Sequence, residues 1–483
     1  MQIERRFSGS RALFCHALKQ NRGISRLTTA QEHDFSKGSI LKHMLRLAGP
    51  MTLAQLINVL YNIVDRIFIG QIGGEDSLAL TGLGVCFPVI TIVIAFTNLV
   101  GMGGAPLFSI TRGAGDDEEA ERILGNSFTL LLCFGVLLTA VGLFFKTPVL
   151  RLLGASDATL PYADAYLTIY LLGSIFVSLS LGLNSFINAQ GFARTGMLTV
   201  AIGAVLNLLL DPLFIMALGM GVQGAALATV LSQAASAAWT FRFLTGRHTL
   251  VRLSPKAMRL CTKRTGKILS LGMSGFIMAI TNSLVQMVCN ASLQAYGGDI
   301  YVGVMTVINS VREVAQMPVN GITNSAQPII SFNYGAKEPA RVRQAIRYMS
   351  GTLILYTAAA WAMLWFFPSF FIRIFNQTPA LIETGVPAMR IYFFGYFMMA
   401  LQFCGQSVFT ALGKSKHAIF FSIFRKAVIV VPLILILPHC FGLNANGVFL
   451  AEPISNFIGG AACFITMLLS VYFPLKRMEA KTY

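Results

Sequence analysis

The chain has 483 residues, of which 55% are hydrophobic and 12% are charged, and its formal net charge is +17. Soluble globular domains contain roughly 25% charged residues, so this composition excludes an ordinary soluble protein. A helix needs roughly 20 apolar residues to cross a bilayer. Uncharged runs of that length recur along the sequence, for example at 77–111, 165–193, 212–241 and 453–475. The sequence therefore predicts an all-α polytopic membrane protein.

The basic residues are unevenly placed. They concentrate in 1–46, 242–267 and 337–347, which lie between apolar runs that would end on the same side of a bilayer. An excess of Lys and Arg in short loops marks the cytoplasmic side of a membrane protein. We therefore expect both termini in the cytoplasm, and we expect no nucleic-acid partner despite the net charge.

The predicted elements, taken in chain order, begin with a basic N-terminal extension over 1–44. It contains no apolar run of the kind found in a secretory signal. Whether residues 1–36 are a genuine part of the protein, or result from an upstream start site, stays open. Twelve transmembrane helices are then predicted, at 45–70, 79–108, 123–146, 163–188, 195–216, 222–245, 265–293, 300–330, 345–368, 385–411, 417–437 and 446–473.

These helices fall into two related halves. At an offset of 222 residues the same residue type recurs in pairs such as Pro106 and Pro328, Ser109 and Ser331, Gly113 and Gly335, Tyr170 and Tyr392, and Gly191 and Gly413. Six helices per copy insert both copies in the same orientation, and parallel repeats place a substrate path between the two lobes. We predict an N-lobe over 45–245, a cytoplasmic linker over 246–264, a C-lobe over 265–473 and a cytoplasmic tail over 474–483.

Two acidic residues in the first half are candidates for function, because a carboxylate at the centre of a membrane helix costs roughly 2.5–3.5 kcal/mol. Asp65 shares a helix face with three amide side chains, Gln55, Asn58 and Asn62, and the same helix contains Pro50, which permits a bend. The neighbouring Arg66 points about 100° away from Asp65, so neutralisation within the helix is disfavoured.

Asp211 stacks with Asn207 at i,i+4 spacing, directly before Pro212. The alternative is that Asp211 caps a helix that begins at this proline. The second half has no acid at the equivalent positions, which are Val288 or Cys289 for Asp65 and Leu433 for Asp211. This asymmetry predicts a cation or proton site in the N-lobe alone.

Four charged residues of the second half keep alternative interpretations. Glu313 follows Arg312 in the eighth helix and is either a substrate counter-ion or part of a structural pair. Glu452, beside Pro453, is expected near the outer end in a structural role. Arg425 and Lys426 fall inside the eleventh predicted helix, where they either reach the inner surface, bind anionic lipid, or indicate a wrong helix boundary.

The chain resembles the multidrug and toxic compound extrusion (MATE) family over residues 36–475, through LAGPMTLAQLINVLYNIVDRIFIGQIGG, GLGVCFPV, NLLLDPLFI, FNYGAK and ALGKSK. The first of these stretches is similar to the MepA-like and DinF-like bacterial branch. The resemblance implies an antiporter of the bacterial inner membrane that expels organic cations in exchange for H⁺ or Na⁺. It also implies a coupling site formed by Asp65, Asn207, Asp211, Thr229 and Tyr166, with Pro50 as a hinge. The NorM-like branch instead relies on acids in its seventh and tenth helices, whereas here 265–293 contains no acid and Glu383 only borders the tenth predicted helix.

Other functions remain as alternatives. A lipid-linked oligosaccharide or polysaccharide flippase of the same superfamily is the first, although such proteins carry basic cavity residues and further helices. A membrane-embedded enzyme or a channel is the second, and no catalytic constellation or Walker A sequence supports it. The eight cysteines show no metal-ligand or disulfide spacing. We expect a monomer that binds small organic cations and lipid, with no metal or cofactor beyond the coupling ion.

Overall fold

The computed structural model describes residues 34–70, 78–375, 377–440 and 442–480. Residues 1–33 of the predicted extension and 481–483 of the predicted tail lie outside these ranges, as do the side chains of Asn62 and Arg66. The described part consists of helices and their connecting segments, with no strand among the described residues, and has twelve helical crossings that we number α1 to α12.

The first six crossings form the N-lobe. They are α1 (Ile40–Gly70), α2 (Leu78–Gly113), α3 (Asp117–Leu152), α4 (Leu160–Leu172 and Ser174–Ala189), α5 (Ala193–Pro212, continuing to Ala217) and α6 (Gly221–Thr245). The C-lobe repeats this order with α7 (262–297), α8 (299–335), α9 (Pro339–Phe366), α10 (Pro379–Phe393 and Met399–Ala411), α11 (415–439) and α12 (445–479). A short helix, Pro368–Phe375, connects α9 to α10.

The breaks between and within crossings have identifiable causes. One continuous run, Thr262–Gly335, is divided into α7 and α8 at Gly298, whose φ of 67° is favourable for glycine. In α4 the two segments meet at Gly173 with a bend of 54°. Helix α10 is interrupted at Gly395, which has a φ of 77°.

Length and hydropathy alone identify eight of the described helices as long and apolar enough to cross a membrane, and α4 is a ninth if its two segments count as one crossing. The count reaches twelve because the 74-residue run is two helices and because α6 and the broken α10 pass through the same bundle. The predicted twelve-helix architecture in two halves is confirmed, and the helices extend a few residues beyond most of the predicted boundaries.

One end of the bundle carries the linker and the turns at 114–116, 190–192, 336–338 and 412–414, and we call it the linker end. Helix α1 begins there at Ile40, five residues before the predicted position 45. The reason is tertiary packing: Ile40, Met44 and Leu47 enter an apolar cluster with residues of α8 and α9.

The segment before α1 is also fixed to the C-lobe. Arg341 of α9 donates hydrogen bonds to the carbonyl oxygens of Phe35, at 2.7 Å, and Gly38, at 3.1 Å. The Phe35 ring is buried in the same cluster as Ile40. This anchoring has no periodic signature in the sequence, so the residues before position 40 gave no sign of it.

The linker itself is ordered against the N-lobe. Asn126 of α3 donates to the carbonyls of Ala257 and Arg259 at 3.1 and 2.9 Å, and Gln190 accepts hydrogen bonds from the backbone of Leu250 and Val251. Because buried backbone groups need partners, these two side chains hold the linker along one lobe. The linker therefore moves with the N-lobe rather than as a free tether.

The two lobes touch closely at the linker end through glycines. A Cβ atom on Gly103 of α2 would overlap the backbone of Ile268 and Gly272 in α7. A Cβ on Gly113 would overlap Phe332 of α8, and a Cβ on Gly335 would overlap Ile110 of α2. Small residues let membrane helices approach at backbone distance, so these glycines close the bundle at the linker end.

At the opposite end the lobes have separate cores. The apolar cluster around Leu83, Tyr166 and Ile215 contains N-lobe residues, and the cluster around Leu293, Ile308 and Phe449 contains C-lobe residues. Among the described residues neither cluster includes a side chain of the other lobe. The cleft between the lobes is therefore closed at the linker end, whereas at the opposite end each lobe packs separately.

Candidate functional site

The five residues predicted for ion coupling come from four helices of the N-lobe. Asp65 lies in α1, Tyr166 in the first segment of α4, Asn207 and Asp211 in α5, and Thr229 in α6. All five are buried, with exposed fractions of 9% for Asp65 and 0% for Asp211. The structure brings them together in the lobe interior. Apart from Asn207 and Asp211, they are 18 to 164 residues apart in the sequence.

The amide of Asn207 connects the site. It donates to Asp211 Oδ1 at 3.3 Å and to Thr229 Oγ1 at 3.5 Å. The carboxyl groups of Asp65 and Asp211 are neighbours that interact electrostatically. Two carboxylates this close in a medium of low dielectric repel strongly when both are ionised, and a proton or a cation between them removes that repulsion.

Tyrosines form the rest of the surroundings. Tyr61 and Tyr166 lie within electrostatic range of Asp65. Tyr166 stacks on Tyr170 with the ring centroids 6.2 Å apart. Tyr61 and Tyr170 were not predicted for the site. Tyr61 lies four residues before Asp65, so the i,i+4 spacing that selected Asn58 and Asn62 could have identified it as well.

The alternative explanation for Asp211, a cap at the start of a helix, does not apply. Helix α5 begins at Ala193 and runs through Asp211 and Pro212, and a π-helical turn, Leu213–Ala217, continues it. Asp211 therefore lies inside the helix, facing the lobe interior, where π-helical turns often accompany functional sites.

The site lies beside two polar cavities that share a wall. The smaller one, about 30 Å³, is lined by Asn207 and Thr229 together with Ser232, Gln233 and Ser236. That volume accommodates an ion or a few waters, since one water needs roughly 10–15 Å³. Asn58 and Asn184 line both this cavity and the larger one, so they mark the passage between the two.

The larger cavity, about 310 Å³, lies between the lobes. Its polar lining consists mainly of amides, with no charged side chain among the lining residues: Gln55, Asn58, Asn98, Asn184, Asn188, Asn324 and Gln327. A cavity of this size and composition accommodates part of a small organic molecule rather than a macromolecule. The carboxylate site is therefore separated from the space between the lobes by one layer of amide side chains.

Two further predicted residues, Pro50 and Glu313, lie in the helices in which the sequence placed them. Helix α1 continues through Pro50 without interruption, and Pro50 is partly buried. Glu313 is exposed on α8. It lies eleven residues before Asn324, which is within about 20° on an ideal helix, so both face the space between the lobes. The hinge and the counter-ion stay predictions.

The C-lobe contains a buried charged cluster that the sequence did not reveal. Arg425 and Lys426 neither reach the surface nor mark a helix end, contrary to the interpretations that their sequence allowed. Both contact Glu452 of α12, with Arg425 Nη2 at 2.5 Å and Lys426 Nζ at 3.2 Å from Oε1. Both cationic residues belong to a π-helical stretch of α11, Phe424–Val430.

A repeat comparison could have found this cluster. At the offset of 222 residues Thr229 corresponds to Ala451, the neighbour of Glu452, and Tyr170 corresponds to Tyr392. The cluster therefore occupies the C-lobe position equivalent to the carboxylate site of the N-lobe. Pairing between α11 and α12 has no signature within either helix alone, which is why the local pattern missed it.

The comparisons with known proteins agree with this architecture. The MatE family profile matches residues 50–213 and 275–436. The multidrug export protein MepA of Staphylococcus saprophyticus is 24% identical over 448 residues, which are 93% of this chain and 97% of that protein.

Solved structures of similar fold include the outward-facing conformation of a multidrug resistance MATE family transporter of the MOP superfamily. It has a TM-score of 0.85 and 25% identity, and the match covers 91% of this chain and 97% of that one. A crystal structure of MATE in a bent conformation has a TM-score of 0.87 at 24% identity, over 94% and 99% of the two chains. With the family profile matching most of both lobes, the chain belongs to the MatE family of multi-span membrane transporters and is a transporter rather than an enzyme.

Proposed function

We propose that the chain is a multidrug efflux antiporter that exports organic cations across the bacterial cytoplasmic membrane in exchange for H⁺ or Na⁺. The observation that carries this proposal is the pair of neighbouring carboxylates, Asp65 and Asp211, buried in the N-lobe beside a polar cavity. The names of the relatives, which are multidrug export proteins, support the substrate class.

The mechanism follows from the geometry of the site. A proton or Na⁺ that enters the smaller cavity neutralises the carboxylate pair and changes how α1 packs against α5. Helix α1 contacts both lobes, because Thr52 contacts Gly321 of α8 while Asp65 faces α5. Occupation of the site therefore acts on a helix that also forms the linker-end contact, with Pro50 as the proposed hinge.

The orientation belongs to the same proposal. The basic segments 242–267 and 337–347 lie at the linker end, so this end is assigned to the cytoplasm together with both termini. The cleft is then closed towards the cytoplasm, and the two lobes are separate towards the outside. This is an outward-facing arrangement. Alternating access requires the linker-end contact to open while the other end closes.

The test is ethidium efflux from cells that produce the wild type, Asp65→Asn or Asp211→Asn. Each substitution keeps the shape of the side chain and removes the charge, and we expect efflux to fall at least about tenfold, because an intramembrane acid with a functional role has no substitute. The matched control is Asp157→Asn, an exposed acid paired with Arg151 away from the site. Efflux that persists in both site variants at the control level contradicts the proposal.

The coupling ion is identified with the purified protein in liposomes. Ethidium transport is measured with a pH gradient alone and then with a Na⁺ gradient alone. Antiport requires that one of the two gradients drives uphill transport and that both Asp variants lose this response. Transport that neither gradient accelerates is inconsistent with antiport.

A further inference from the structure

The interior of the C-lobe holds more positive than negative charge. Arg425 and Lys426 pair with the single carboxylate of Glu452, and all three side chains are buried, with exposed fractions of 6%, 12% and 10%. Arg312 of α8 belongs to the same site and donates to the hydroxyl of Tyr392 at 3.0 Å. Arg312 forms no ion pair with a carboxylate in the part of the chain that the structure describes.

This excess calls for an explanation. Burying a charge in a membrane protein is costly unless it is paired, so intramembrane cations mark function or a partner. Glu452 can neutralise one of the three cations, which leaves a formal excess of two positive charges. A network that only stabilised the fold would be expected to balance its charges more closely.

A cavity lies directly against these charges. It measures about 40 Å³, and the groups that line it include Arg312, Lys426, Glu452 and Tyr392, together with Asn282 and Gln286 of α7. The volume is enough for one small polar group, since a single water needs roughly 10–15 Å³.

The amide side chains of Asn282 and Gln286 connect this cavity to the cleft between the lobes. Asn282 and Gln286 lie seven and eleven residues after Gly275, so on an ideal helix all three are within about 20° of one face. Gly275 contacts Met102 of the N-lobe, which identifies this face as the one towards the other lobe. Asn282 is exposed, so a molecule in the cleft has a polar route to Arg312.

We propose that this C-lobe cavity binds the carboxylate group of zwitterionic substrates, while the rest of the substrate lies in the cleft between the lobes. The inference rests on the proposed function as an exporter and assigns this cavity to the acid group of substrates that carry both a cation and an acid. Arg312 supplies a planar set of donors suited to a carboxylate, and Lys426 adds a point charge. The two lobes thus carry sites of opposite charge at equivalent positions of the repeat.

The experiment compares norfloxacin, which is a zwitterion, with its ethyl ester, which lacks the carboxylate and is a cation. Dissociation constants for both are measured with the purified full-length chain, and ethidium binding is measured in parallel. The wild type should bind norfloxacin more tightly than the ester. Arg312→Gln should reduce this preference by roughly tenfold, because a charge-assisted hydrogen bond is lost, and leave ethidium binding unchanged.

Two variants separate binding from folding. Arg312→Lys keeps the charge and should restore part of the preference, and Glu452→Gln removes the competing carboxylate and should increase it. The control is Arg373→Gln, an exposed arginine on the short helix after α9. A structural role for the cluster would change the affinity for acid and ester equally.

Each result decides the matter. Equal affinities for acid and ester in the wild type overturn the inference, even if ethidium is exported normally. A preference that Arg312→Gln leaves intact overturns it as well. Failure of ethidium export in the wild type would instead contradict the proposed function, so the two failures are distinguishable.

Discussion

At the scale of single residues, Thr229 shows how the proposed coupling site depends on neutral groups. Its hydroxyl accepts the hydrogen bond from Asn207 that orients the amide between Asp211 and α6. The two bonds of Asn207, at 3.3 and 3.5 Å, are long for N–H···O contacts. The site is thus loosely held, and we expect a proton or cation between the carboxylates to tighten it.

We therefore expect Thr229→Val to weaken coupling without destroying the fold. Valine has the shape of threonine but cannot accept from Asn207, so the amide loses the partner that aligns it with Asp211. The ion concentration that gives half-maximal ethidium efflux in liposomes should rise roughly fivefold, as expected for the loss of one buried hydrogen bond. The control is Thr91→Val, which removes an exposed hydroxyl bonded to the carbonyl of Phe87 in its own helix. Equal half-maximal concentrations in the two variants would show that Thr229 has no part in coupling.

At the scale of the helices, the contact between α2 and the C-lobe is made of backbone against backbone. Gly103, Gly113 and Gly272 each lie where a Cβ would overlap main-chain atoms of the opposite lobe. Main-chain atoms in a helix have little freedom to move aside, so even one methyl group must separate the lobes.

Gly103→Ala should accordingly destabilise the conformation that is closed at the linker end. Overpacking a tight contact costs about 1–3 kcal/mol, and we expect a lower midpoint of thermal unfolding in detergent together with slower efflux. Gly84→Ala is the matched control, because it lies in the same helix and no atom would be within 4 Å of its new Cβ. If both variants unfold at the wild-type temperature, the glycine contact is not what closes the linker end.

The helices also show which parts of the structure sequence reasoning could reach. Apolar length and charge placement predicted twelve crossings, and i,i+4 spacing placed Asn207 and Asp211 on one inward face. The start of α1 at Ile40 was missed because it depends on packing against α8 and α9. The partner of Arg425 was missed because it lies 27 residues away in the next helix. Periodicity describes one helix at a time, and these contacts join two.

At the scale of the whole molecule, the duplicated fold carries unlike chemistry in its two copies. The N-lobe site has two acids, whereas the equivalent C-lobe position has three cations and one acid. The register of the repeat was readable from pairs such as Tyr170 and Tyr392. The charge of the second site could not be read from the sequence, because Arg312, Lys426 and Glu452 come from three helices.

The arrangement of the lobes predicts a labelling pattern in intact cells. In a chain whose own cysteines are replaced by serine, Asn282→Cys should react with a membrane-impermeant maleimide added outside, because Asn282 is exposed on the α7 face towards the cleft. Lys256→Cys should stay unlabelled, because Lys256 is exposed in the linker, at the end assigned to the cytoplasm. Dissipating the ion gradient should shift the population of conformations and change labelling at position 282, while a cysteine in place of Asp157, exposed in the loop between α3 and α4, should label equally in both conditions. Labelling of Lys256→Cys from outside would mean that the linker end faces the exterior, and the proposed orientation would then have to be reversed.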